Sequence, residues 1–230
     1  VAKASKQMVS VQKWHNSTEN ADQLSSIVGH HWGIIGLACR NPLRMLCFPI
    51  FARLLSGNSN QQQWLATTEG LKAMDCWDVA LAALTELQSY LPPFIKLRLV
   101  ADAYFSKVPF IQGVRARCVH LISRLRKDAK GWDLLQPVPT GKSGRPKTKG
   151  QEWKLADLVK LPLQTVSVVL YGKTQTLQVV VRDVFLRGFP ELIRVVVIQT
   201  ASTPILLMST DLKLTAQQII ELYGARFSIE

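Results

Sequence analysis

Apolar positions recur with two different periods along this chain, and the changes of period predict where strands give way to helices. The runs SIVGHHWGIIGLAC and RMLCFPIFARLL are nearly continuous and are separated by a turn that contains Pro42, so they predict two neighbouring strands. Pro49 predicts an edge position or a bulge in the second strand. Between residues 61 and 91, Trp, Met and Leu recur at helical spacing, which predicts a long helix that ends at Pro92.

The middle of the chain predicts a strand, a short helix and a second strand. In FIKLRLVADAYFSK, apolar and polar residues alternate up to Asp102, which places this carboxylate near the carboxyl end of a strand. Ligands of α/β proteins gather at that end of the sheet, although an aspartate there also serves as a turn former or helix cap. A short helix is predicted over residues 109–117. CVHLISRLRKDA then predicts a strand that leads into Arg124, Arg126 and Lys127.

The last third of the chain predicts a β-meander followed by a helix. Four apolar or alternating runs between residues 163 and 210 are separated by Gly- and Pro-containing breaks. Thr215 and Gln218 form a capping-box pattern, so a helix begins there. Ile219, Tyr223, Arg226 and Glu230 follow at helical spacing on one face. From spacing alone, Arg226 and Glu230 form an ordinary ion pair at the edge of an amphipathic helix, or Glu230 holds a metal.

Charge is concentrated in one part of the sequence. The net charge is +12, and residues 115–150 contribute ten Lys or Arg against two Asp, which is +8 of that total. A clustered basic segment is typical of proteins that bind a polyanion such as nucleic acid, whereas a solvated basic loop is the alternative. The segment TGKSGRPKTKGQEWKL has no apolar period and predicts a mobile basic loop, and Trp153 within it is a candidate for holding an extruded base.

Length and cysteine content narrow the class of protein. A chain of 230 residues with 47% hydrophobic residues can bury one core or a core with a smaller appended unit. The four cysteines lack the spacing of a zinc or redox motif and are predicted to be reduced and mostly buried. Charged residues interrupt the longest apolar run, and no secretory signal opens the sequence, so a cytoplasmic protein without membrane spans is expected.

Several of these segments together resemble one protein family. The pattern Tyr-x-x-Arg-x-x-x-Glu from Tyr223 to Glu230, preceded by LLMSTDLKLTAQQIIEL, is similar to the motif of DDE transposases of bacterial insertion sequences, the group with a β-rich insertion. LVADAYF resembles the segment that carries that family's second catalytic aspartate. GHHWGIIGL with CFPIFARLLSG resembles its second and third core strands, and Gly144-Arg145-Pro146-Lys147 resembles its basic turn.

The resemblance implies an α/β fold with a ribonuclease-H-like core, a mixed sheet flanked by helices, interrupted by a β-rich insertion domain. Residues 1–132 would form the core with its first strand missing or incomplete, 133–214 the basic loop and insertion, and 215–230 the returning helix. Asp102 and Glu230 would be the catalytic residues and would bind Mg²⁺ or Mn²⁺. The DNA-binding residues would be Tyr223, Arg226, Arg124, Arg126, Lys127, Arg145 and Lys147.

The implied activity is metal-dependent cleavage and strand transfer of double-stranded DNA at terminal inverted repeats and a target. A cytoplasmic, nucleoid-associated homodimer is expected. The family's first aspartate should precede GHHWGIIGL, and Asp22, in a polar run, does not fit it. We therefore expect an inactive fragment of a longer protein. The alternatives are a catalytically dead DNA-binding remnant and a nuclease of the same fold that cuts without joining.

Overall fold

The computed structural model describes residues 12–15, 26–29, 31–40, 45–55, 76–134 and 150–226. The chain divides into two compact units, Val1–Leu37 with Phe48–Leu91, and Ala38–Cys47 with Pro92–Glu230. Glu230, Arg145 and Lys147 lie outside the described residues, as do residues 61–75 of the predicted long helix. None of the helices in the described part of the chain could span a bilayer.

The amino-terminal third forms two short β-ribbons and a helix. Strands β1 (Gln12–His15) and β2 (Ser26–Gly29) pair with each other, as do β3 (His31–Arg40) and β4 (Met45–Leu55). Pro49 lies in β4, which has one pairing partner among the described strands, and this agrees with the predicted edge position. Helix α1 (Cys76–Tyr90) ends before Pro92 as the sequence predicts.

The second unit contains a mixed eight-stranded sheet. Its strands are β5 (Arg98–Ala101), β6 (His120–Arg124), β7 (Lys130–Trp132), β8 (Glu152–Lys154), β9 (Gln164–Leu170), β10 (Lys173–Leu186), β11 (Leu192–Ile198) and β12 (Ile205–Ser209). The spatial order is β5-β6-β12-β11-β10-β7-β8, with β9 also paired to β10. The predicted meander is therefore present, and its strands continue the sheet that contains β5 and β6.

Strands β5 and β6 form the parallel part of the sheet. Helix α2 (Val108–Ala116) lies in the connection between these two strands, and its buried residues include Phe110 and Val114. In the parallel register Arg98 lies opposite His120 and Ala101 opposite Ser123. Strand β12 runs antiparallel to β6, so the chain leaves the sheet after Ser209 at the amino ends of β5 and β6.

Helix α3 (Ala216–Ala225) packs its apolar face on this sheet. Thr215 caps the helix by accepting from the backbone N–H of Gln218, whose side chain accepts from the N–H of Thr215, so the predicted capping box is confirmed. Ile219 and Ile220 are buried against Ile122, Val168 and Leu207 in the core. This packing fixes the direction in which the helix runs across the sheet.

Two predictions from the sequence are wrong. The segment at 151–155 was expected to belong to the basic loop, but Glu152–Lys154 is strand β8 and pairs with β7. It leads into a 3-10 helix, Leu155–Lys160, whose Leu155 and Leu158 are fully buried. The period of a strand as short and polar as β8, with one tryptophan, is too weak to detect in the sequence.

The cysteines were expected to be mostly buried, but Cys118 is exposed and Cys47 and Cys76 are half-buried.

Candidate active site

Asp102 lies directly after β5, at the carboxyl edge of the parallel strands. Its side chain accepts a hydrogen bond from the backbone N–H of Tyr104 at 2.9 Å and caps the 3-10 helix Ala103–Phe105. Its backbone carbonyl accepts from the buried Ser123 hydroxyl at 2.7 Å. The capping role that the sequence left open is therefore present. Among the described residues only Oδ1 of this half-buried carboxylate is engaged, so Oδ2 remains available.

The Ser123 hydroxyl completes the backbone hydrogen bonding where the strand pair ends. The β5–β6 ladder stops at Ala101 opposite Ser123, so the next carbonyl, that of Asp102, lies beyond the last strand partner. A buried carbonyl without a partner would cost about 1–3 kcal/mol. The fully buried Ser123 side chain removes that cost and holds the peptide that carries Asp102.

Helix α3 brings Tyr223 to the same edge. The helix lies against β5 and β6 in the sheet. Asp211, which precedes the helix, accepts two hydrogen bonds from Arg98 at the amino end of β5. At the carboxyl end of β5, the charge of Asp102 acts on the Tyr223 hydroxyl, so these two side chains lie near each other.

The pKa of Tyr223 responds to three other predicted site residues. Burial raises the pKa of the Tyr223 hydroxyl above its ordinary value, and the negative charge of Asp102 raises it further. The charges of Arg226 and Arg124 and a hydrogen bond from Arg226 act in the opposite direction but do not cancel the rise in pKa. Asp102, Arg124 and Arg226 therefore each lie close enough to act on the Tyr223 hydroxyl, and we call these four residues the edge cluster.

Arg226 and Arg124 reach the edge cluster from different elements. The Arg226 guanidinium lies 5.5 Å from the centre of the Tyr223 ring, an arrangement in which the ring face attracts the cation. Arg124 is the exposed last residue of β6, and it lies beside the carboxyl end of the parallel strand β5. Two cations beside one carboxylate and a protonated phenol can bind an anion such as a phosphate diester.

The other predicted site residues are distributed differently. Arg126 is exposed and donates to both carboxylate oxygens of Asp128, at 3.0 and 3.3 Å. Lys127 is exposed next to it, and no contact within the described residues ties Lys127 to the edge cluster. No three His, Cys, Asp or Glu side chains of the described residues meet as a metal-binding group. Glu230, Arg145 and Lys147 fall outside those residues.

Trp153 occupies a different environment from the one its sequence context predicts. Its indole Nε1 donates to Asp133 at 2.8 Å, and the Arg182 guanidinium lies 4.6 Å from its ring centre. Arg182 also donates twice to Asp133, at 2.7 Å each. The hydrogen bonds from Arg182, followed by the one from Trp153, lower the pKa of Asp133 against the effect of burial. Sequence reasoning missed this group because its members are 20 to 49 positions apart.

Comparison with known families fits this geometry. The family model described as DDE superfamily endonuclease matches residues 12–182. The match includes Asp102 and Arg124 and ends before Tyr223 and Arg226. No curated protein matches the chain. Because the family match spans most of the sequence, the chain belongs to the DDE endonuclease superfamily.

Proposed function

We propose that the protein is a transposase, which cleaves double-stranded DNA at the terminal inverted repeats of an insertion sequence and transfers the freed strand to a target. The observation that supports this most is the edge cluster, in which Asp102 lies beside Arg124, Tyr223 and Arg226. Membership of the DDE endonuclease superfamily supports phosphodiester chemistry on DNA. The fold itself does not assign the reaction, so the proposal is based on the site.

Asp102 suits a divalent cation by its donor chemistry. Carboxylate oxygens are the preferred ligands of Mg²⁺ and Mn²⁺, and Oδ2 of Asp102 is available among the described residues. Glu230 is the proposed second ligand, because it follows Arg226 by one helical turn on the sequence-defined face. The chemistry supplied by bound divalent cations is polarisation of the attacking oxygen and stabilisation of the leaving oxygen.

The remaining members of the edge cluster would hold and orient the DNA. The guanidinium groups of Arg124 and Arg226 can each donate hydrogen bonds to phosphate oxygens. The raised pKa of Tyr223 favours its protonated hydroxyl, which can donate a hydrogen bond to a phosphate oxygen. The proposed phosphoryl transfer proceeds without a covalent intermediate on the protein. Arg126 and Lys127, together with Arg145 and Lys147, are proposed to neutralise phosphates farther along the duplex.

The domain arrangement proposed from the resemblance has 1–132 as a ribonuclease-H-like core, 133–214 as an insertion and 215–230 as the returning core helix. The continuity of the sheet from β6 into β12, β11 and β10 supports an insertion that extends the core sheet instead of forming a separate body. The proposal also includes action as a homodimer on paired DNA ends. It further requires that the first catalytic aspartate of the family lie outside this sequence.

The test is metal-dependent cleavage of a duplex that carries an insertion-sequence end, with the full-length protein. Asp102→Ala and Glu230→Ala should each abolish cleavage in Mg²⁺, a loss of at least about 10³-fold, since metal ligation supplies several kcal/mol to the transition state. DNA binding should survive both substitutions. Normal cleavage by either variant would refute the assignment of metal ligands.

A second measurement separates the proposed reaction from its alternatives. Strand transfer to a target duplex, assayed with a pre-cleaved end, distinguishes a transposase from a nuclease that cuts without joining. Binding that persists while the wild-type protein neither cleaves nor joins would identify a DNA-binding remnant.

A further inference from the structure

Three cations lie in register across one end of the sheet. In the antiparallel pair of β7 and β8, Lys130 lies directly opposite Lys154. On the other side of β7, Gly131 lies opposite Leu186 of β10, so the next residue, Arg187, comes level with Lys130. The three cationic residues are exposed. We call Lys130, Lys154 and Arg187 the basic row.

The basic row lies on the outer face of these strands. Successive side chains of a strand point to opposite faces. Gly131 faces the core, because a Cβ there would lie 2.8 Å from the Val184 side chain. Its neighbours Lys130 and Trp132 therefore face outward. This face contains an open concavity of about 470 Å³, and its lining residues are Asp128, Lys130, Trp132, Glu152 and Arg187.

Both carboxylates in this concavity already have a cationic partner. The Lys130 ammonium donates a hydrogen bond to Glu152 at 2.7 Å. The Arg126 guanidinium donates two to Asp128, at 3.0 and 3.3 Å. Each negative charge is therefore matched by one positive charge before the other two members of the basic row are counted.

Lys154 and Arg187 leave this surface with two unmatched positive charges. The salt bridges between described residues include neither of them. Cations directly opposite each other on neighbouring strands repel and destabilise a sheet, and the pairing of Lys130 with Glu152 offsets this repulsion only in part. A polyanion that lies across the strands would remove it. The basic row therefore has the charge and the placement of a binding surface for phosphates.

We propose that the basic row binds the phosphate backbone of the DNA duplex, in addition to the contacts made at the edge cluster. This inference rests on the proposed function, which supplies duplex DNA as the ligand. Neighbouring strands lie about 4.8 Å apart, so the basic row spans about 10 Å. Over that length one strand of a duplex, with a phosphate about every 3.4 Å of axis, carries about three phosphates.

The dependence of DNA binding on salt tests the basic row. Each phosphate that a cation neutralises adds about 0.9 to the steepness with which log affinity falls against log salt concentration. Lys154→Gln and Arg187→Gln should each weaken binding roughly three- to tenfold at about 50 mM salt and lower that steepness by about 0.9. The double variant should lower it by about 1.8. Fluorescence anisotropy with the full-length protein and a labelled duplex measures both quantities.

Lys96→Gln is the matched control. Lys96 is exposed and precedes β5, which forms the other end of the described sheet, and its substitution removes the same charge. It should leave the salt dependence unchanged. An equal change for Lys96→Gln and the basic-row variants would show that net charge alone decides affinity, and the inference would be overturned.

Thermal unfolding distinguishes a binding role of Lys154 from a structural one. Lys154→Gln removes the repulsion with Lys130, so it should weaken DNA binding without lowering the melting temperature. A lower melting temperature together with an unchanged salt dependence would identify a structural lysine and refute the inference.

The inference and the proposed function can fail separately. If cleavage requires Asp102 while the basic-row variants bind DNA with the salt dependence of the wild-type protein, only the inference fails. If those variants lose salt dependence as expected but the wild-type protein neither cleaves nor joins DNA, the basic row is supported and the transposase reaction is refuted. A wild-type protein that does not bind duplex DNA would refute both.

Discussion

The two ends of β5 carry charged residues of similar kinds in opposite circumstances. At the amino end, Arg98 forms two hydrogen bonds with the Asp211 carboxylate, at 3.0 and 2.8 Å, and Asp211 is 4% exposed. At the carboxyl end, no salt bridge within the described residues reaches Asp102, although Arg124 and Arg226 both act on the nearby Tyr223 hydroxyl. A charge that the fold already neutralises maintains structure, whereas one left open beside cations is available to a ligand.

The paired end also explains why the other end is well defined. Asp211 accepts from the backbone N–H of Lys213 at 3.0 Å, and Arg194 donates to the Leu214 carbonyl at 2.9 Å while it pairs with Asp183. These bonds hold the segment from which α3 begins. Both β5 and the segment that leads into α3 are therefore tied to the same group of hydrogen bonds.

Replacing the aspartate at each end of β5 with asparagine should give the largest difference in effect on cleavage and stability. Asp102→Asn should remove cleavage activity by about 10³-fold and change the free energy of unfolding by less than about 0.5 kcal/mol, because asparagine also caps helices. Asp211→Asn should lower the free energy of unfolding by about 2 kcal/mol and reduce the cleavage activity of the folded molecules far less than Asp102→Asn does. Urea unfolding and cleavage assays measure both. An equal loss of stability at the two positions would remove the distinction.

The stability difference at Asp211 should also depend on pH. Burial raises the pKa of this carboxyl, but the hydrogen bonds from Arg98 and Lys213 and the nearby positive charges outweigh burial, so its pKa is lower than usual. The stabilisation is therefore fully present above the unfolded-state pKa of about 3.9 and is lost as pH falls through the lower folded-state value. The stability difference between the wild-type protein and Asp211→Asn should begin to shrink as pH falls below about 4 and continue to shrink through the lower folded-state pKa. A difference that stays constant down to pH 2 would contradict this account.

Sequence reasoning was most successful where a single segment determines the structure. The strand before Asp102, the capping box of Thr215 and Gln218, and the strands of the meander all depend on neighbours within a few positions. The contacts of Asp133 with Trp153 and Arg182, and the Arg98–Asp211 pair, join residues that are far apart in sequence. They depend on strand order, which local periodicity does not encode. Sequence alone therefore predicted the strand before Asp102 and the start of α3 at Thr215, but not the ion pairs between distant segments.

Tyr223→Phe tests the site at the carboxyl end of β5 and should have a smaller effect on cleavage than Asp102→Asn. Removing the hydroxyl should reduce cleavage roughly fivefold, since the hydrogen bond with Arg226 is worth about 1 kcal/mol. Because the pKa of Tyr223 is raised, the reduction should be constant from pH 6 to 9. Above about pH 10 the wild-type protein should lose stability relative to the variant as unfolded tyrosine ionises. Tyr171→Phe, at a residue 69% exposed, is the matched control and should leave cleavage unchanged.

The smallest expected effect is at Gly224, one residue beyond Tyr223. A Cβ there would lie 2.5 Å from Cδ2 of Leu170 on β9, so glycine lets α3 approach the sheet closely. Alanine would gain about 1 kcal/mol in helix propensity and lose a similar amount as Leu170 moves, so Gly224→Ala should change the free energy of unfolding by less than about 1 kcal/mol. Cleavage should fall about threefold, because the helix end that carries Tyr223 and Arg226 shifts away from Asp102. Adding Leu170→Val to Gly224→Ala should restore cleavage. If Gly224→Ala alone keeps full activity and gains about 1 kcal/mol in stability, the close approach plays no part in placing Tyr223.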